Sequence, residues 1–273
     1  PPPAPLGGRR ARLRGPGRRE VWGALGAPAA AWWPVAPAQA EEAGELRKIT
    51  FGYQLRLPPG WSVLQQGRIP DFTDLRPGKL LVATNRDADA LVEVIRVPLA
   101  TSQRDPQGIA GLAVCDLFSP EPRVTAPQVV DFLSKGLRER PVIFQFNSVN
   151  QPSLFVRNET KFLRYEYEAS RCEGQQVTTM SGKSCKRGDT GEELPTPLKR
   201  HLVLNQLVQE PTGDSKTGEG LLLREDGAAQ VLWVMDVSAP SAAWPTLQEQ
   251  VDVLLSTFIA GPEAMLNAAK PPA

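Results

Sequence analysis

The chain has 273 residues with 31 basic and 30 acidic side chains, and so even a balance excludes a strongly cationic nucleic-acid binder and gives no global attraction to an acidic membrane. Its three cysteines are too few for a disulfide scaffold, and no Cys-x-x-Cys pair is present to seed a zinc knuckle. The charge is uneven along the chain: residues 1–40 hold six arginines and one acid, leaving 25 basic and 29 acidic residues interspersed over the rest, as on an ordinary solvated surface.

The arginine-rich start has the make-up of an address and not of a fold. "GRREVWGALGAPAAAWWPVAPAQA", Gly17 to Ala40, places the pair Arg18-Arg19 ahead of an apolar stretch and ends in Ala38-Gln39-Ala40 before "EEAGEL". Pro28, Pro34 and Pro37 interrupt that stretch, whereas a membrane-spanning helix needs about 20 strongly apolar residues. The reading is a twin-arginine export signal, with Ala38 and Ala40 at the positions a signal peptidase reads and the mature protein starting near Glu41. The acid-free cluster "RRARLR" upstream resembles the end of an organelle transit peptide. Residues 1–40 are therefore expected to be a bipartite leader that directs import into a plastid and then export into the thylakoid lumen. Because the first residue is Pro1 and not Met, further sequence is expected to precede it.

One domain is expected over residues 46–260, followed by a flexible tail over 261–273. "TFGYQLRLPPGW" predicts a strand with Phe51, Tyr53, Leu55 and Leu57 on one face, ended by the turn Pro58-Pro59-Gly60. "KLLVATN" (79–85) and "ALVEVIRVPLA" (90–100), joined by "NRDAD", predict a hairpin. "TSQRDPQGIAGLAVCDLFSPEPRV" reads as a turn-rich insertion, with Cys115 a small buried apolar residue. Thr125 is expected to cap a helix over "APQVVDFLSKGL", whose Val129, Val130, Phe132, Leu133 and Leu137 form a core stripe.

"NETKFLRYEYEAS" and "KRHLVLNQLVQ" predict two more strands, separated by the polar loop "CEGQQVTTMSGKSC". Cys172 and Cys185 could close a short ring there in an oxidising compartment; the residues alone leave the pairing open. "QVLWVMDVSAP" predicts a strand with Val231, Trp233, Met235 and Val237 on one face. "TLQEQVDVLLSTFI" predicts a helix with Thr246 as N-cap, Glu249 completing a capping box, and Leu247, Val251, Leu254, Leu255 and Phe258 on its apolar face. This order of elements gives an α+β fold, a mostly antiparallel sheet flanked by helices.

Four of these segments, "ITFGYQLRLPPGW", "FLRYEYEAS", "KRHLVLNQLVQ" and "AAQVLWVMDVSAPSAAWPTLQEQVDVLLSTF", resemble in that order the PsbP family of extrinsic proteins of the oxygen-evolving side of photosystem II. The residues that carry the resemblance are Tyr53 with the turn Pro59-Gly60-Trp61, Tyr165-Glu166-Tyr167, Arg200-His201, Trp244 and Phe258. The resemblance implies an α-β-α sandwich, a thylakoid-lumen location peripheral to the membrane, and a non-enzymatic role. It implies protein contact with photosystem II lumenal subunits or another thylakoid complex, and no nucleic acid. The family is associated with calcium and chloride retention at the manganese cluster, so calcium is the cofactor the resemblance implies, with no ligand residue assigned. Two long segments, 104–122 and 172–197, and only eight residues, "EEAGELRK", between the leader and the first strand depart from the authentic subunit and look more like a divergent PsbP-domain protein.

Chemistry has few footholds. His201 is the only histidine, so a Ser-His-Asp triad or a histidine-based metal site would need it, and Lys199 and Arg200 beside it disfavour a cation. No Gly-x-Ser-x-Gly elbow, Walker loop or His-Glu-x-x-His is present, and "GKSC" at Gly182 lacks the upstream glycine of a phosphate loop. Asp71 with Asp74, or Asp87 with Asp89, could offer oxygens to a hard cation such as calcium, although turn-forming aspartate is their ordinary reading. Trp61 and Trp244 are expected as core aromatics at the two ends of the domain. The alternative to a docking protein is a lumenal calcium-, metal- or small-ligand-binding module using carboxylates or His201.

Overall fold

A computed structural model describes residues 52–67, 78–99, 106–180, 182–210 and 229–261. The leader with Arg18, Arg19, Ala38 and Ala40, the pair Asp71 and Asp74, and the tail beyond Gly261 lie outside the described residues. By internal packing the chain separates into Pro1–Ala36 and Pro37–Ala273, and the description that follows concerns the second unit.

The centre is a seven-stranded sheet built from β2 (Trp61–Gln66), β3 (Gly78–Asn85), β4 (Ala90–Pro98), β5 (Ile143–Arg157), β6 (Thr160–Arg171), β9 (Lys199–Glu210) and β10 (Ala229–Pro240). Their order across the sheet is β2-β3-β4-β10-β9-β6-β5, and every neighbouring pair is antiparallel. Side chains alternate between the two faces of a strand, and both faces of this sheet are covered. Val231, Trp233, Met235 and Val237 of β10 join Val92 and Val94, Leu202 and Leu204, and Phe162 on one face, packed against Trp244, Leu247, Val251 and Leu254 of α3 (Trp244–Thr257) and against Phe258. On the other face Leu163 and Leu232 meet Val114 and Leu117 of α1 (Pro106–Phe118) and Val129 and Val130 of α2 (Ala126–Arg138). The fold is thus α+β, a mostly antiparallel sheet with helices on both sides.

The chain ends are tied together. β1 (Tyr53–Gln54) pairs with β11 (Ile259–Ala260), with Tyr53 opposite Ala260. The buried amide of Gln206 fixes this ribbon to the sheet face: its Nε2 donates to the Ala260 carbonyl and its Oε1 accepts from the Ala260 N–H, both at 2.8 Å. Nearby, the buried Arg96 guanidinium bonds the Glu210 carboxylate, which also accepts from Trp233 Nε1 at 2.8 Å.

Several expectations need correction. The 104–122 insertion contains α1. Pro106 begins it, where a missing N–H leaves no bond unmade, and Ala110, Ala113, Val114 and Leu117 recur at helical spacing and are buried. Packing supplies what its glycines and proline withhold in propensity. The segments Trp61–Gln66 and Ile143–Arg157 are strands although no strand was expected there. β5 carries three register shifts, between Ile143 and Gln145, Ser148 and Asn150, and Asn150 and Ser153, and each breaks the alternation that marks a strand; as an edge strand it also tolerates Pro152.

The cysteine-flanked loop contains a hairpin, β7 (Gln175–Thr179) and β8 (Gly182–Lys186), that forms its own two-stranded sheet. The last helix begins at Trp244, after a 3-10 turn over Ser241–Ala243. Thr246 therefore sits inside the first turn, where its Oγ1 donates to the Ala243 carbonyl at 2.8 Å, and is not the N-cap; Pro245 fits the helix start and moves it earlier. Thr125 does precede α2, its N–H bonded to Gln128 Oε1 at 2.8 Å. Phe132, however, is exposed and leaves the expected stripe. Of the opening strand, Tyr53 and Leu55 are buried as one face, but the regular strand spans only Tyr53–Gln54.

Candidate functional site

The strand residues of the family motifs fall on opposite faces of the sheet, because Tyr165 and Tyr167 alternate with Glu166, and His201 alternates with Arg200. The first group gathers on the α1–α2 face. Register places Tyr167 directly opposite His201, and the two rings stack at 4.6 Å and 5°. His201 Nδ1 lies 3.1 and 3.2 Å from the two carboxylate oxygens of Asp236, which comes from β10 diagonally across the sheet. Phe146 of β5 stacks on the other flank of Tyr167 at 4.8 Å, and Tyr165 is hydrogen-bonded by Asn205. His201 and Asp236 keep 18% of their side-chain surface in solvent, so the pair forms a half-open polar patch beside the helices.

The chemistry of the patch follows from its electrostatics. Burial and, secondarily, the Asp236 charge push both the Tyr165 and Tyr167 hydroxyls above the ordinary phenol range. Both stay protonated at neutral pH and neither is a base. Asp236 orients the imidazole as a carboxylate does in a catalytic dyad, yet no hydroxyl or thiol is bonded to His201 among the described residues. The carboxylate on Nδ1 fixes the ring's orientation, and Nε2 is its other hydrogen-bonding atom.

The second group lies on the α3 face. Glu166, almost fully buried, accepts from Arg164 Nη2 at 2.7 Å through Oε1, and from Arg200 Nε and Nη2 at 3.2 and 2.5 Å through Oε2. Burial alone would raise its pKa; the two guanidiniums outweigh this and hold the carboxyl below the usual range. The Arg200 guanidinium also lies 5.0 Å above the ring of Trp244, whose own side chain is in the core. This triad braces α3 against the sheet.

The remaining motif residues tie down the end of the domain. Gly60 has φ +86, a conformation glycine adopts without strain, and it turns the chain from Pro59 into β2. Trp61 Nε1 and Asn85 Nδ2 both donate to Gln250 Oε1 of α3, at 2.7 and 3.1 Å. Trp61 is only partly buried, packing against the core from its edge, while Tyr53 and Phe258 lie within it.

Cys172 and Cys185 form a disulfide with a Cα–Cα distance of 5.5 Å. Cys115 is a free thiol whose pKa burial raises to about 11. Asp89 takes a positive φ in the β3–β4 turn and pairs with Lys199 at 3.1 Å. Arg200 likewise spends its charge on Glu166, so His201 faces an acid and not the two cations beside it in sequence. Among the described residues no three His, Cys, Asp or Glu side chains stand close enough to hold a metal ion, and no helix is long and apolar enough to cross a membrane.

No family model and no curated protein sequence matches the chain. Among solved structures, the solution structure of cyanobacterial PsbP (CyanoP) from Synechocystis sp. PCC 6803 aligns over 86% of this chain and 99% of that one, with a TM-score of 0.38 and 13% identity. The crystal structure of LpqN, involved in cell envelope biogenesis of Mycobacterium tuberculosis, aligns over 77% of this chain and 83% of that one, with a TM-score of 0.36 and 9% identity.

Sequence reasoning did not single out Asp236, Arg164, or the buried pair Arg96 and Glu210. A signal was present in each case: a charged residue interrupting an apolar strand, as in "VMDVS", "VIRVP" and "LVQE". Such a charge is retained in a sheet interior only with a partner, but which strand supplies the partner depends on register.

Proposed function

We propose that this chain is a PsbP-domain protein of the thylakoid lumen that acts without catalysis, docking as a rigid body on photosystem II and supporting the function, assembly or stability of its oxygen-evolving side. The observation that carries the reading is the His201–Asp236 pair stacked on Tyr167: family-motif residues from β6 and β9 meet an acid from β10 in a half-open patch built to present hydrogen-bonding groups. The order of the motifs along the chain, behind a leader with a twin-arginine pair, supports the location. Mechanistically, Asp236 fixes the imidazole plane, Tyr167, itself backed by Phe146, stacks against the ring, and a partner meets groups that lose little freedom on binding. The described residues offer no carboxylate cluster of the size a calcium site needs, and the docking mechanism uses none.

The test is affinity purification of the tagged full chain from solubilised thylakoids, alongside fractionation of intact chloroplasts. Photosystem II lumenal subunits are expected to co-purify with the wild type and to be depleted with Asp236→Asn or His201→Ala. Recovery of the mature protein in the stroma, or co-purification that both variants leave unchanged, would overturn the reading.

A further inference from the structure

The edge strand β5 leaves regular register against β6 in the middle of its length. Asn150 lies opposite Glu166 and Ser153 opposite Arg164, so Gln151 and Pro152 together face the single residue Tyr165. Two residues against one make a bulge, which bends the strand that carries it and re-aims its side chains. Here the bend opens a cleft of about 210 Å³ lined by Asn150, Gln151, Ser153, Arg164, Tyr165 and Glu166. Residues directly opposite in an antiparallel pair share a face, so Asn150, Ser153, Arg164 and Glu166 converge on the α3 side of the sheet.

The charged group at the cleft is a guanidinium with most of its donors unspent. Both oxygens of the buried Glu166 are taken, Oε1 by Arg164 Nη2 at 2.7 Å and Oε2 by Arg200. The next acid on this face, Glu168, stands opposite Arg200 and does not line the cleft. A guanidinium carries five N–H donors in a fixed fork. The bond to Glu166 orients that of Arg164 and leaves its Nε and Nη1 without a hydrogen-bond partner among the described residues. The side chains of Asn150, Gln151 and Ser153 likewise make no hydrogen bond among the described residues.

Neutral amides and a hydroxyl around one oriented guanidinium, beside a carboxylate that is already saturated, suit a planar anion of single charge. We propose that this bulge cleft binds a carboxylate, held by the unspent N–H groups of Arg164 and by hydrogen bonds from the Asn150 and Gln151 amides and the Ser153 hydroxyl. Guanidinium and carboxylate match fork to fork, and such charge-assisted bonds are about twice as strong as neutral ones. Because Glu166 fixes the guanidinium beforehand, little ordering is left to be lost on binding. The space is smaller than the ~300–1,000 Å³ of a drug-sized or cofactor pocket, so the ligand is a compact acid or a single side chain. A phosphate dianion fits less well, since no second cation lines the cleft. The same chemistry comes from two sources, a free small acid or an Asp or Glu of a partner protein, and the inference does not depend on the photosystem II assignment.

The test titrates the full chain, with its cystine intact, by exchanging sodium chloride for sodium acetate at constant ionic strength, and follows the arginine Nε–H and backbone amide signals by heteronuclear NMR. The expected result is a saturable shift of the Arg164 Nε–H and of the amides of Asn150, Gln151 and Ser153. It should vanish in Arg164→Gln and weaken about fivefold in Ser153→Ala, as for loss of one hydrogen bond. Ser153→Ala leaves the ion pairs of Glu166 in place and carries the test even if Arg164→Gln does not fold. Shifts that grow without saturation, shifts confined to residues elsewhere, or affinity undiminished in Ser153→Ala or in folded Arg164→Gln would overturn the proposal. A second arm compares acetate with N-acetylglutamate N-methylamide, a capped glutamate. Tighter binding of the capped residue assigns the cleft to a partner's acidic side chain, and equal or weaker binding assigns it to a free small acid.

Discussion

Replacing Glu166 by Gln keeps the shape of the side chain and removes the charge that Arg164 and Arg200 share. The carboxylate makes contacts of 2.5–3.2 Å with three guanidinium nitrogens. Removing one partner of a buried ion pair costs about 3–5 kcal/mol, but Arg164 and Arg200 keep 37% and 24% of their surface in solvent and rehydrate in part. The expected loss is therefore about 2 kcal/mol at pH 7, a shift of about 1 M in the urea midpoint for a typical slope. Since the folded-state pKa of Glu166 lies below its ordinary value, the folded protein holds fewer protons than the unfolded one as the pH drops. The stabilisation is fully present above the unfolded carboxyl range, about pH 4.3, and is lost as pH falls toward the depressed folded value. Urea titrations followed by circular dichroism at pH 7 and at pH 3.5 check this: the gap between wild type and Glu166→Gln should narrow at the lower pH. A gap of equal size at both values, or none at pH 7, would refute the assignment of Glu166 as a charged brace.

Three further outcomes follow from the packing. Glu210→Leu alone, which takes the carboxylate from both the Arg96 guanidinium and Trp233 Nε1, should destabilise by about 3–5 kcal/mol, whereas Arg96→Met with Glu210→Leu should recover only part of that loss, since the buried Trp233 N–H still lacks this acceptor; thermal denaturation of the two variants compares them. The raised Tyr165 and Tyr167 hydroxyls imply stability that is present below about pH 10 and lost as the pH rises through their folded values, so tyrosinate absorbance for these two should appear together with unfolding. Thiol titration of the unfolded protein should count one reactive cysteine without reductant and all three after reduction.

The parts of the fold that announce themselves are those where apolar and β-branched residues are concentrated between turn signals. β4, β6, β9 and β10 are such segments of nine to twelve residues, and the apolar spacing of Leu247, Val251 and Leu254 marks α3. β5 and α1 were hidden for different reasons: register shifts scramble the alternation of β5, and half of the buried stripe of α1 is alanine, in a segment punctuated by glycine. Site assembly was legible only in part. The alternation of Tyr165, Glu166 and Tyr167 decides that the tyrosines and the glutamate part company, but nothing local in "VMDVS" says that Asp236 meets His201. That meeting is set by the offset between β9 and β10, which places Ser238 and not Asp236 directly opposite the histidine.

The ribbon of β1 and β11 has a consequence for how the protein comes to exist. The Arg56 N–H donates to Thr257 Oγ1 at 3.0 Å across 201 residues, and Tyr53 pairs with Ala260. The body cannot be finished until nearly its last described residue has left the ribosome, and closure over so long a separation is slow. A chain broken off early would lack Phe258 in the core, the Ala260 hydrogen bonds of Gln206 and the strand opposite Tyr53 all at once. The folded body thereby depends on contacts made at once by both of its ends.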